Sequence, residues 1–316
     1  MAQNPFADPA GPREPARAST GTGMEASASV GAPPDVPSEP CPLCASTKSR
    51  RLFRKYDYEL RRCAACRLVR IHPLPSPEAL ARIYDASYAS GAYADFARAS
   101  DVRMATAHAR VATIRPHVAP GPWLDVGCST GALLAALLEA GLEAEGIELS
   151  SEAVAQARAR GLAATCASAD TFEPTRRYAC VTAFDLVEHL IDPGAFLSRL
   201  RGWLVPGGRL VITVPDIASP AARLMGRHWH YYAPPVHITY FDRDTIERML
   251  ARHGLHTLSI STSPKILTID YALEQLRVLS PTLGRAVAPL GRLLPAGLRR
   301  RPLGFPVGEI LVVATA

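Results

Sequence analysis

The run Leu124-Asp125-Val126-Gly127-Cys128-Ser129-Thr130-Gly131 constrains this chain more than any other feature. It places glycines between an apolar strand, Trp123 to Val126, and an apolar helical pattern, Ala132 to Ala140, closed by Gly141. A turn of that composition lets the backbone bend sharply and lets a ligand approach it closely. A second strand reads from Glu143 to Leu149, and Glu148 at its tip stands 23 residues after Asp125. A carboxylate there can accept hydrogen bonds from both hydroxyls of a ribose. The turn and the acid together are far more specific than either part.

A dinucleotide site of this geometry would show G-x-G-x-x-G, with a helix N-terminus facing a pyrophosphate. Here the run is G-C-S-T-G led by Asp125. An acid in that place is unfavourable beside phosphate and suits the cationic amino end of a methionine. Downstream, the alternation continues: a helix over Ser151 to Arg160, strands near Ala163 to Ala167 and over Cys180 to Phe184, a helix from Pro193 to Trp203, and a strand from Arg209 to Val214. This pattern predicts an α/β fold, a mostly parallel sheet with helices on both faces. Asp242 to His253 reads as a further helix N-capped by Asp242. His256 to Ser263 and Glu309 to Thr315 read as β-rich, bracketing about 45 residues of Leu, Pro, Gly and Arg. At 316 residues and 48% hydrophobic content, one large core is expected.

D-V-G-C-S-T-G, Glu148, and the later run Ala183-Phe184-Asp185-Leu186-Val187-Glu188-His189 with Leu204-Val205-Pro206-Gly207-Gly208 resemble the motifs of class I S-adenosylmethionine-dependent methyltransferases. Ser129 departs from the pattern, which more often has glycine there. The resemblance implies a Rossmann-like sheet of seven strands, the last antiparallel, with S-adenosylmethionine as cofactor. By it, Asp125, Gly127, Cys128, Ser129 and Gly131 form the cradle, Glu148 takes the ribose, Leu149 lines the base, Asp170 contacts the adenine amino group and Phe184 faces the methionine portion. Methyl transfer from a sulfonium is an in-line displacement that needs alignment above all. A general base enters only if the acceptor must lose a proton, and His189 and His237 are the catalytic candidates. Each has a purely structural alternative: His189 as a loop tie, His237 as pocket lining. The spacing Asp185-x-x-Glu188-His189 also allows a divalent cation that polarises an acceptor oxygen.

Cys41-x2-Cys44 and Cys63-x2-Cys66, eighteen residues apart, have zinc-ribbon spacing and predict a closed structural zinc site. Lys48 to Arg70 is strongly basic, so RNA base methylation guided by this module stands as an alternative to a small-molecule acceptor. The small-molecule alternatives span lipid, quinone, polyketide and sugar-type acceptors, and a non-catalytic cofactor-binding scaffold is the remaining reading. The arginine- and leucine-containing segment 283–303 reads either as a lid or as a peripheral membrane contact. The expected organisation is a disordered tail over 1–38, the zinc-ribbon-like module over 39–72, a helical connector over 73–115, and the methyltransferase domain over 116–316 with lid insertions at 216–241 and 265–307. No export signal or membrane span is read, so a cytoplasmic location is expected.

Overall fold

The computed structural model describes residues 39–76, 78–80, 82, 100–270, 273, 285, 287, 289, 293–299, 301 and 303–316. The expected tail over 1–38, much of the connector and nearly half of the 265–307 insertion lie outside the described residues. The chain opens with three antiparallel strands, β1 (Ser49–Lys55), β2 (Tyr58–Cys63) and β3 (Val69–His72). Helix α1 (Ser100–Ile114) leads to the main layer: β4 (Trp123–Val126), α2 (Ala132–Glu139), β5 (Ala144–Glu148), α3 (Ser151–Ala159), β6 (Ala164–Cys166), β7 (Tyr178–Phe184), α4 (Pro193–Gly202) and β8 (Leu204–Pro215). The remainder is α5 (Pro220–Met225), β9 (Thr239–Tyr240), α6 (Arg243–Arg252), β10 (His256–Thr262), β11 (Lys265–Leu267), α7 (Ala296–Arg299), β12 (Leu303–Phe305) and β13 (Glu309–Thr315).

The main sheet has seven strands in the order β10-β13-β8-β7-β4-β5-β6, and β13 runs antiparallel to both neighbours. The chain therefore winds outward from β4 through β5 to β6, then returns to place β7 on the other side of β4. Between β4 and β7 the winding reverses, which opens a crevice at the strands' C-terminal ends. One face is packed by α1 and α2 around Trp123, Leu134 and Val211; the other by α4 and α6 around Leu197, Trp203 and Met249. Local chemistry sets the helix starts. The Asp192 side chain accepts from the Ala195 amide, Ser150 from the Ala153 amide, and Asp242 and Thr245 form a reciprocal capping box.

Two features depart from the sequence reading. The Pro206-Gly207-Gly208 turn does not precede the fifth parallel strand but lies inside it: β8 begins at Leu204 opposite Tyr178, and its register shifts before Arg209 pairs with Cys180. Gly207, at φ 73, absorbs the irregularity. In addition, the cysteine-containing strands do not stand alone. β9, from the insertion after β8, adds to β3 as a fourth strand, pairing Tyr240 with Val69. Cys41, Cys63, Cys66 and Leu68 are packed in the same core cluster as α4 and α6. Among the described residues, no helix is long and apolar enough to cross a membrane.

Candidate active site

The turn after β4 is held open by backbone geometry. Gly127, Ser129 and Gly131 all have positive φ, at 77, 51 and 80. Gly131 caps α2 in a left-handed conformation that a side chain would strain, and a Cβ there would also press on the Leu162 side chain at 2.4 Å. Ser129, with its side chain, carries the strain of a left-handed conformation, and its contacts hold it there. Its amide donates to Glu148 Oε2 at 3.0 Å, and its hydroxyl accepts from Arg103 at 3.0 Å. The other Glu148 oxygen accepts from the Ser150 amide at 2.9 Å. Each carboxylate oxygen therefore keeps a second lone pair for a ligand hydroxyl. Cys128 is buried beneath the turn, its amide donating to Ile147 O at 3.0 Å, and acts there through packing and backbone.

Asp125 sits inside β4, 4% exposed, with the Thr182 hydroxyl donating to it at 2.6 Å. Burial outweighs that bond and pushes its carboxyl up to about 7. Leu149, just beyond Glu148, is 67% exposed, an apolar surface beside the cradle. Asp170 lies exposed in the turn after β6, its amide bonded to Ser168 Oγ. Phe184, at the end of β7, is covered by the Arg110 guanidinium 4.3 Å from its ring. The turn and the end of β7 flank the reversal between β4 and β7, so the sequence-predicted cradle residues converge on one crevice.

Beside Phe184 lies an ion network that the sequence reading missed. Lys265 Nζ is 2.8 Å from Asp185 Oδ2 and 2.7 Å from Glu309 Oε2. Arg110 is 3.0 Å from Glu309 and 3.5 Å from Asp185. Tyr231 and Ser263 donate their hydroxyls to Glu309, and Thr213 donates to Asp185. Two cations balance two carboxylates in a buried place, where an unpaired charge would be costly. Burial pushes Asp185 up, but Lys265 and then Arg110 hold it well below the usual carboxylate range. The four charged residues are paired across 44 to 199 positions of the chain, so no local spacing could have signalled the network.

His189 and His237 meet at the edge of that network, with ring centroids 4.7 Å apart at 86°. His189 Nδ1 donates to Val236 O at 2.9 Å and His237 Nδ1 to Tyr231 O at 2.7 Å. Burial lowers the pKa of His189, opposed by the carbonyl of Val236. Burial and then His189 lower His237 to about 3. Both rings are neutral near pH 7, and His237 is a weak Brønsted base but an available lone-pair donor. Elsewhere, the four cysteine sulfurs Cys41, Cys44, Cys63 and Cys66 lie within 4.8 Å of one another.

A family model described as a methyltransferase domain matches residues 96–260, more than half of the chain. The chain belongs to that family. The chain is 27% identical over 172 residues to the ubiquinone biosynthesis O-methyltransferase of Bradyrhizobium sp. (strain ORS 278), a match covering 52% of this chain and 62% of that protein. It is 38% identical over 116 residues to a trans-aconitate 2-methyltransferase of Methylobacterium radiotolerans, covering 35% of this chain and 44% of the relative. The chain thus spans less than two thirds of the curated relatives it matches. A chain from the complex of the Haloferax volcanii Trm112 methyltransferase activator with a methyltransferase aligns over 74% of this chain and 97% of its own length, with a TM-score of 0.50 and 18% identity. That is a likeness of fold.

Proposed function

We propose that this methyltransferase binds S-adenosylmethionine in the crevice between β4 and β7 and transfers its methyl group to an oxygen, carbon or nitrogen of a small molecule. The observation that carries the reading is Glu148: a buried carboxylate at the tip of β5, locked to the glycine turn by the Ser129 amide, with lone pairs left for a ribose. The positive-φ turn supplies close backbone approach, Leu149 an apolar surface for the base, and Asp170 an acceptor for the adenine amino group. The cofactor supplies an activated methyl; the chain's part is to bind, align and exclude water. The curated relatives, named for ubiquinone biosynthesis and trans-aconitate methylation, favour a small acceptor over RNA. So does the surface of the cysteine module, where Arg51 and Arg61 are paired with Glu59 and Arg54 with Asp57.

The four cysteines fit a structural zinc ion. The Cys41–Cys66 and Cys44–Cys63 sulfur pairs stand 3.4 and 3.5 Å apart. A tetrahedron with Zn–S near 2.3 Å has edges of roughly 3.8 Å, so a small adjustment would accommodate the ion. The sequence division into tail, module, connector and catalytic domain, and a cytoplasmic location, belong to the same reading.

Incubation of the full chain with methyl-tritiated S-adenosylmethionine and extract of its source cells tests the whole. Label is expected in a lipid or small-molecule fraction. Ribonuclease-sensitive label would select the RNA reading, and tight cofactor binding with no methyl consumed would select a scaffold.

A pH effect follows from Asp125. Its neighbours are Thr182 and, through space, Arg110 and Glu148. Below about 7 its carboxyl is protonated in the free protein. An incoming ammonium group favours the carboxylate, so binding releases a proton and tightens as pH rises, then levels off above 7. Between pH 6 and pH 8, affinity for S-adenosylhomocysteine is expected to rise about tenfold, an effect absent in Asp125→Asn. Calorimetry at the two pH values decides it; equal affinities would remove Asp125 from the amino-group contact.

A further inference from the structure

The ends of two separate elements bring three groups with lone pairs to one point. Glu188, in the short turn after β7, is 1% exposed, and its Oε2 is buried without a hydrogen-bond partner. His189 follows it directly. His237 arrives from the insertion after β8, which returns along the cysteine strands: β9 pairs with β3, and the Ile238 amide donates to Glu188 O at 2.9 Å. The ligand-capable atoms of Glu188, His189 and His237 lie within 4.8 Å of one another.

The hydrogen bonds of the two imidazoles decide how this cluster can be used. A carbonyl can only accept, so the contacts of His189 Nδ1 to Val236 O and His237 Nδ1 to Tyr231 O require Nδ1–H on both rings. In the neutral rings, Nε2 then carries the lone pair. Backbone carbonyls holding Nδ1–H while Nε2 points elsewhere is the arrangement that orients histidines for metal ligation. Two such rings, clustered with a carboxylate whose Oε2 has no hydrogen-bond partner, form a group rich in acceptors that a cation would complete. Asp185, which the sequence spacing offered as a ligand, does not take part. Lys265 and Arg110 hold it in their own network.

We propose that Glu188, His189 and His237 bind a divalent transition-metal ion of the zinc type. Nitrogen and oxygen donors together favour such an ion over magnesium, which prefers oxygen and water. Three protein ligands leave a four-coordinate ion one open position, the arrangement of a site that acts on substrate rather than one that only supports the fold. Resting on the methyltransferase reading, the acceptor is then a hydroxyl compound. Its oxygen binds the ion and releases the O–H proton to solvent; the oxygen attacks the methyl carbon, the carbon–sulfur bond breaks, and sulfur keeps the electron pair as S-adenosylhomocysteine leaves.

Cobalt(II) is the probe, added to the full chain after its cysteine site has been filled with zinc. The wild type is expected to bind about one further equivalent and to show a weak visible d–d spectrum without thiolate-to-metal charge transfer. Glu188→Gln and His237→Gln are each expected to weaken that binding by about 100-fold or more, with circular dichroism unchanged. If Glu188→Gln fails to fold, His189→Asn carries the same test. No cobalt bound beyond the cysteines, or full binding retained by the folded variants, overturns the site. Affinity for S-adenosylhomocysteine is measured alongside: its absence in a chain that still binds cobalt sinks the methyltransferase reading and leaves the cation site standing.

Discussion

Replacing Glu148 with alanine is expected to weaken S-adenosylhomocysteine binding by about 100- to 10,000-fold and to abolish methyl transfer at ordinary cofactor concentrations. Two charge-assisted hydrogen bonds to ribose hydroxyls would be lost, each worth roughly 1.5 to 3 kcal/mol. A second loss adds to it. The hydrogen bonds that the Ser129 and Ser150 amides now make to the two Glu148 oxygens would go as well. Ser129 has a side chain at φ 51, a conformation that persists only while its surroundings enforce it. Without the carboxylate, the cradle should relax as well as lose its ligand contacts. Glu148→Gln separates the two contributions. Its single carbonyl oxygen can still accept from one amide, so an intermediate loss is expected. Calorimetry with S-adenosylhomocysteine on the wild type and both variants, with thermal melts as a check on folding, measures this. Alanine binding within tenfold of wild type would show that the ribose is held elsewhere.

How much of this was legible in the chain depended on the distance over which each feature is determined. β4 and β13 have the bounds that their apolar runs imply, because a buried strand is encoded in consecutive residues. Asp242 was readable as an N-cap because capping is local. The approach of Glu148 to the glycine turn was readable because turn, strand and tip acid lie within one βαβ unit. The ion network of Arg110, Asp185, Lys265 and Glu309 was not, since it assembles α1, the end of β7, β11 and the start of β13. His189 and His237 were each visible as candidates, but only as separate bases. What joins them is the pairing of β9 with β3, and a strand of two residues leaves no periodicity to read. That pairing also ties the cysteine strands to the segment carrying His237, which the spacing of the cysteines alone could not announce.

That tie makes the zinc site proposed for the four cysteines a support for the active site as well as for its own loop. Cys63→Ser or Cys66→Ser is expected to lower the melting temperature by about 10 °C or more, because metal binding supplies much of the folding free energy of so small a module. The ion suits the chemistry of its ligands. Burial pushes the Cys41 thiol up, while backbone amides of Cys66 and Ala65, working against burial, bring Cys63 down to about 7. Without a cation, four clustered thiols gain little from this arrangement; with one, their thiolates are the natural partners. The damage should not stop at the module. Cys66 is 1% exposed in the core cluster that holds Ile246, Met249 and Leu250 of α6, and Arg248 of the same helix reaches the Cys66 carbonyl at 3.5 Å. Loosened β3 would release β9, and with it the segment that places His237 against His189. Acceptor turnover should therefore fall more than cofactor affinity, since Glu148 and its turn belong to strands that do not pair with the module's sheet, whereas His237 lies next to one that does. Exposed Cys166, outside both clusters, supplies the control: Cys166→Ser should change stability by less than about 0.5 kcal/mol. Thermal melts of the three variants, with and without a zinc chelator, are the measurement. A wild type whose melting is unmoved by chelation, or a Cys66→Ser variant as stable as Cys166→Ser, would mean that packing alone holds these strands.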